Sequence, residues 1–224
     1  MIPLKDETPT KKIPFINIAL VIANISIFIY QNFFAPGGVA PFYFRLGIIP
    51  YEFSHFMDID PPALVPVPLT VLTATFVHGG WIHLFGNMLF LWIFGDNIED
   101  RLGHFKYLIF YLLCGSVASL FHIFANIHSK VPCIGASGAI AGVLGAYMLL
   151  FPKARIKTLM IWFIFIQVMR VPAIILIGYW ILIQILSGFA ETGSLGESGV
   201  AWFAHIGGFV CGCILIMFRK KKKK

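Results

Sequence analysis

Residues 131–151 read VPCIGASGAIAGVLGAYMLLF, and everything else in the chain is best understood outward from them. The stretch carries no charge and runs into Pro152-Lys153, which fixes one end of an apolar helix. Its other end opens on Gly135-Ala136-Ser137-Gly138. A helix over Ser137–Phe151 rises about 22 Å, against a bilayer hydrocarbon layer of about 30 Å. Ser137 is therefore expected below the membrane surface, where the irregular 131–136 backbone must descend to meet it. Such backbone is tolerated at that depth only where protein or a water-filled cavity surrounds it. A hydroxyl held among glycines there is either packing or a nucleophile.

Composition supports the membrane setting. The chain has 224 residues, 58% of them hydrophobic and 12% charged, with a mean hydropathy of +0.85. Soluble domains are about 45–50% apolar and about 25% charged. The excess falls in blocks of about 20 residues, the length that crosses a bilayer. We expect an all-α membrane protein, a six-helix bundle with the lipid bilayer as its solvent. Its spans are drawn at Ile13–Phe34, Gly80–Asn97, Phe105–Asn126, Ser137–Phe151, Val171–Phe189 and Val200–Phe218. This gives an N-terminal tail 1–12, a transmembrane domain 13–218 and a basic tail 219–224, with no separate soluble domain.

Ile156–Arg170 is apolar but short, and Pro172 breaks any helix that would continue it. It reads as an interfacial or re-entrant piece; a true span there would make seven. Charge favours six. With a cytoplasmic N-terminus, Lys5, Lys11, Lys12, Arg101, Lys106, Lys153, Arg155, Lys157, Arg170 and the 219–224 tail share one side. Only Arg45 and Lys130 fall outside, as the positive-inside tendency prefers. The net charge of +7 is explained this way, and no nucleic-acid motif accompanies it. Cys114, Cys133, Cys211 and Cys213 lack ligand spacing, so neither a zinc site nor a disulfide framework is expected. No removable signal peptide is read at the N-terminus. The first outer loop, Ala35–Gly79, is long and rich in Pro and aromatics, and is expected to lie partly in the interface.

Polar residues converge on one depth. His205 lies near the start of the last span, about 7–8 Å in. His83 and Asn87 are i,i+4 on the second span and share a face. Gly138, Gly142 and Gly145 line the fourth span, and Gly207, Gly208 and Gly212 the sixth. Small residues four apart allow close helix approach. Packing Gly138/Gly142 on Gly208/Gly212 would bring Ser137 beside His205.

Taken singly, these residues have bland readings. A lone Ser in a Gly-rich membrane helix is usually packing. His78 reads equally as a surface anchor for the second span. Glu99, Asp100 and Arg101 read as a charge cluster closing that span, and the lysine tail as a lipid anchor. An intramembrane His is a functional hypothesis by default. Together the residues read differently. Serine needs an adjacent base, and an oxyanion needs preorganised donors. His205 offers a base, and the His78, His83 and Asn87 side chains with the Ser137 N–H at a helix N-terminus offer suitable donors. No intramembrane Asp or Glu is available to orient the imidazole, so the pair is a dyad. No cofactor or metal is called for.

The motifs His78-Gly-Gly-Trp-Ile-His83-Leu-Phe-Gly-Asn87, Glu99-Asp100-Arg101-Leu102-Gly103, Gly135-Ala136-Ser137-Gly138 and Ala204-His205-Ile206-Gly207-Gly208 occur in the order found in rhomboid intramembrane serine proteases. The chain resembles that family from about Ile13 to Phe218. The resemblance implies Ser137 as nucleophile and His205 as general base and then acid. It implies His83, Asn87 and Ser137 N–H as oxyanion hole, with His78 supporting the loop above, and Gly135, Gly138 and Gly208 supporting the site. The implied partners are transmembrane protein substrates, and the expected setting is a bacterial inner membrane with both termini cytoplasmic. Two departures stand out. Ala141 occupies a position where some members stack an aromatic on the catalytic His. The first loop lacks the Trp-Arg pair of some members. An inactive relative that binds membrane helices, and a small channel or transporter, are the alternatives.

Overall fold

Each of the six stretches drawn as spans folds largely as a helix in the computed structural model, which describes residues 1–162, 165–192 and 200–221. The long helices are α1 (Phe15–Phe33), α5 (Trp81–Leu102), α6 (His104–Ala125), α7 (Ser137–Leu150), α8 (Ala173–Thr192) and α9 (Trp202–Lys221). Short helices α2 (Val39–Leu46), α3 (Pro50–His55) and α4 (Thr70–Thr73) fill the connection between α1 and α5. Among the described residues, four helices are long and apolar enough to cross a membrane: α1, α6, α8 and α9. A fifth crossing is reached if Val67–Phe76 and α5, bent 82° to one another, count as one broken span. Large apolar side chains face outward along these helices, such as Ile22, Phe124, Leu182 and Leu186. A belt of this kind is a liability in water and is satisfied by lipid.

α7 sits at the centre. It is 14 residues long, and every residue from Gly138 to Tyr147 is buried. Its glycines set the packing. A Cβ added at Gly208 of α9 would collide with the Gly138 carbonyl oxygen, and one at Gly212 with that of Gly142. α7 and α9 therefore run parallel, backbone against backbone, at a separation that small residues alone permit. Ala118 and Cys114 of α6 fill the other side of Gly138 and Gly142, which makes α6 antiparallel to α7.

The all-α expectation needs correction. Residues 155–172 are not a re-entrant helix or a span but two strands, β2 (Arg155–Trp162) and β3 (Phe165–Pro172); 163 and 164 lie outside the described residues. β1 (Ile2–Asp6) pairs antiparallel with β2, Ile2 opposite Leu159 and Lys5 opposite Lys157, giving a sheet of order β1-β2-β3. The segment alternates, with Ile156 and Thr158 buried and Arg155 exposed, a period that suits a strand. The N-terminal residues supply the hydrogen bonds that an isolated hairpin would lack on that edge. Glu7 bridges the sheet, meeting Arg170 Nε at 2.9 Å and Lys157 Nζ at 4.0 Å.

Glu99 is also corrected. It is buried, and its carboxylate accepts hydrogen bonds from Ile16 N (2.9 Å) and Asn17 N (2.7 Å) in the first turn of α1. His104 closes the pair from α6. A carboxylate satisfies the orphan donors of a helix start and complements its dipole. Asn17 reaches on to Leu91 O and accepts from the Tyr107 hydroxyl. The end of α5, the start of α1 and the start of α6 are thus tied at one end of the bundle. β1 joins them there, Asp6 accepting from Asn97 Nδ2 and the Tyr147 hydroxyl. Of the basic tail, 222–224 lie outside the described residues.

The connection between α1 and α5 is more ordered than its composition implied. Ile48 and Cys133 exchange both backbone hydrogen bonds (3.0 and 2.8 Å), and Tyr51 N donates to Ser129 O. Ile48, Ala74 and Ile123 form a small core beneath it. This pins the loop to the irregular segment that leads into Ser137.

Candidate active site

Gly135 is the hinge on which the site turns. Its φ of +125° is one that side-chain-bearing residues rarely adopt, and its N–H donates to Ala74 O at 2.9 Å. A methyl there would lie 2.7 Å from His83 Nε2 and 3.7 Å from Asn87 Nδ2. The bare backbone thus lets two polar side chains from α5 come close to it. Two residues later the chain enters α7, and Ser137 is its first residue. Its N–H is one of the first-turn donors that a helix cannot use internally.

The donors are oriented. Gly79 N donates to His83 Nδ1 at 3.3 Å, so the ring proton resides on Nε2, the atom facing Gly135. Asn87 is 8% exposed, and its Nδ2 has no hydrogen-bond partner among the described residues. A buried amide left unpaired is costly, which is tolerable where a ligand atom is to be bound. His83 Nε2 and Asn87 Nδ2 thus both lie close to Gly135, two residues before Ser137.

His205 completes the arrangement from α9. Its Nε2 lies 2.8 Å from Ser137 Oγ. The parallel glycine contact of α7 and α9 is what brings together two residues 68 positions apart. The other ring nitrogen, Nδ1, lies 2.7 Å from Gln184 Oε1 on α8. The sequence offered no acid to orient the imidazole; the structure supplies a neutral amide instead. The rings of Trp180 (centroids 5.6 Å apart) and Trp202 (6.3 Å, edge-on) flank the imidazole, while Ala141 is buried in α7. Gln184 and Trp180 had no motif to single them out.

His78 is fully buried rather than a surface anchor, because α1 covers it. The Gln31 side chain clamps its backbone, donating to His78 O and accepting from His78 N. Its ring stands edge-on to His83, centroids 5.1 Å apart. His78 therefore sits between α1 and His83, in the turn before α5. A cavity of about 20 Å³ lies beside Ser137, bordered by Thr75, Ser119, Gly135 and Gly138. That is roughly the room one water molecule needs. Among the described residues no group of three or more His, Cys, Asp or Glu could hold a metal ion.

Comparison with known proteins identifies the family. Residues 68–222 match the Rhomboid domain family model. The chain is 26% identical to Rhomboid-like protein 11, chloroplastic, of Arabidopsis thaliana, over 90% of its own length and 64% of the relative's. It is 30% identical to Rhomboid protein 1, mitochondrial, of Saccharomyces cerevisiae, over 65% and 40% of the two chains. It is 32% identical to Rhomboid protease GluP of Bacillus subtilis, over 63% and 24%. The chain thus spans less than two thirds of the length of these relatives. The compartments named for the plant and yeast proteins lend no support to the bacterial inner membrane expected from the sequence. What stands is an integral membrane protein.

Proposed function

We propose that this chain, which belongs to the rhomboid family, is an intramembrane serine endopeptidase that cuts transmembrane protein substrates within or near their spans. In this reading α1, α5, α6, α7, α8 and α9 all cross the bilayer, and the sheet end, where the lysines and arginines gather, faces the cytoplasm. Ser137 and His205 then lie below the opposite surface.

The observation that carries the reading is the 2.8 Å approach of His205 Nε2 to Ser137 Oγ, with His83 Nε2 and the unpartnered Asn87 Nδ2 close to Gly135 two residues earlier. Ser137 Oγ attacks the scissile carbonyl carbon as its proton passes to His205 Nε2. The carbonyl oxygen becomes an oxyanion, stabilised by the Ser137 N–H, Asn87 Nδ2 and His83 Nε2–H. His205 returns the proton to the leaving amine as the C–N bond breaks. A water then attacks the acyl-enzyme, losing a proton to His205, and releases the new carboxylate and Ser137. The pocket beside Ser137 has room for that water. The membrane supplies the rest of the specificity, since only substrates in the same bilayer reach the dyad laterally.

The test is cleavage of a single-span reporter in proteoliposomes. The wild type should cut it, and Ser137→Ala and His205→Ala should each abolish cutting while the protein stays folded. Full activity in either variant contradicts the assignment. A family member that binds membrane helices without cutting them would leave the reporter whole in all three.

A further inference from the structure

We propose that Gln184 is a positioning residue for the Ser137–His205 pair, holding His205 in the one tautomer able to act as base; this rests on the protease reading above. Gln184 lies on α8 and is 5% exposed. Its Nε2 donates to Trp180 O at 3.2 Å, one turn earlier. A carbonyl oxygen only accepts, so that bond fixes which end of the amide is which. Oε1 is left facing His205 Nδ1 at 2.7 Å. An amide oxygen also only accepts, so Nδ1 must carry the ring proton. Nε2 then presents a lone pair to Ser137 Oγ, 2.8 Å away. The chain of constraint runs from a backbone carbonyl through a neutral amide to the nucleophile.

Without the acceptor, the ring proton would distribute between the two nitrogens, and the Nε2–H form cannot take a proton from serine. Trp180 and Gln184 are i,i+4 on α8 and share a face. One face of a single helix therefore supplies both a ring beside His205 and its Nδ1 partner. This accounts for the small residue at Ala141: the base is seated from α8 rather than from α7. Being uncharged, Gln184 orients the imidazole without stabilising an imidazolium as a carboxylate would.

The competing reading makes Gln184 a filler that satisfies itself on Trp180 O. The two readings order the variants oppositely. If Gln184 positions His205, Q184L lowers kcat about 10-fold to 10²-fold, a part of what a placed general base contributes, with KM unchanged. Q184E keeps an acceptor at the same reach, stays faster than Q184L, and moves the acidic limb of the rate profile to higher pH, because a carboxylate against Nδ1–H favours the protonated ring. If Gln184 is a filler, Q184L equals or exceeds wild type and Q184E is the slower variant, since it buries a charge inside the bundle. Steady-state cleavage of the reporter in proteoliposomes between pH 5 and 9, with thermal unfolding as a check on the fold, decides between them. Should Q184L fail to fold, Q184M carries the same expectation. Wild-type kcat in Q184L, or Q184E slower than Q184L, overturns the proposal. A wild type that leaves the reporter uncut overturns the protease reading itself, which separates the two failures.

Discussion

Replacing Gly208 by alanine perturbs the site without touching a reacting group. The added methyl collides with the Gly138 carbonyl oxygen and lies 2.9 Å from the carbonyl carbon. Ordinary carbon contacts begin at about 3.5 Å, so α7 and α9 must separate by at least about 0.6 Å at this level. Ser137 and His205 stand on those two helices, within a turn of the contact. Their 2.8 Å hydrogen bond would lengthen to about 3.4 Å, beyond the usual limit for such bonds. Misplacements approaching 1 Å cost about 10²-fold in rate, and overpacking of this kind costs about 1–3 kcal/mol of stability. Gly208→Ala should therefore lose about 10²-fold in kcat while remaining folded. Gly178→Ala on α8 is the control: nothing lies within 4 Å of its added methyl, and its rate should equal wild type. Reporter cleavage in proteoliposomes gives the rates, and thermal unfolding in detergent the stability. A folded Gly208→Ala with wild-type kcat would refute the claim that glycine contact between α7 and α9 sets the dyad distance.

Three further outcomes follow from the same geometry. Asn87→Ala removes an oxyanion donor and should lower kcat about 10²–10³-fold with little change in KM; an unchanged kcat takes Asn87 out of the site. Gly135→Ala forces a methyl against His83 Nε2 at a φ of +125° and should abolish reporter cleavage with the helices intact by circular dichroism, whereas near-wild-type turnover contradicts a role for the close approach of His83 to Gly135. Glu99→Ala strips two backbone N–H groups of α1 of their acceptor and should destabilise by about 3 kcal/mol or more, at about 1.5–3 kcal/mol per charged hydrogen bond. Glu99→Gln, which keeps one amide oxygen, should fall between it and wild type in thermal unfolding; equal stability of all three removes Glu99 as the cap.

Much of the helical framework was legible because a span must be apolar along its length, and that signal survives without packing information. The nearness of Ser137 and His205 was legible for a more particular reason. Glycines at 138, 142, 208 and 212 fix both which faces meet and in what register. The sheet was not legible, since its first strand joins residues 2–6 to 155–162 across most of the chain, and the nearly unbroken apolar run over 159–169 hides the alternation of the other two. Glu99 was misread because Glu99, Asp100 and Arg101 point in three directions around α5, and only the packing of α1 reveals that one of them faces inward. Gln184 has no spacing signature at all. A single amide in an apolar run acquires meaning only when α8 is laid against α9.

The most direct measurement is the site of covalent labelling by a serine-reactive fluorophosphonate in proteoliposomes, mapped by mass spectrometry of the labelled peptide. The account predicts one adduct, on Ser137, lost in His205→Ala although the hydroxyl remains. Labelling of Ser137 that persists undiminished without His205, or an adduct on another serine in its place, would contradict it.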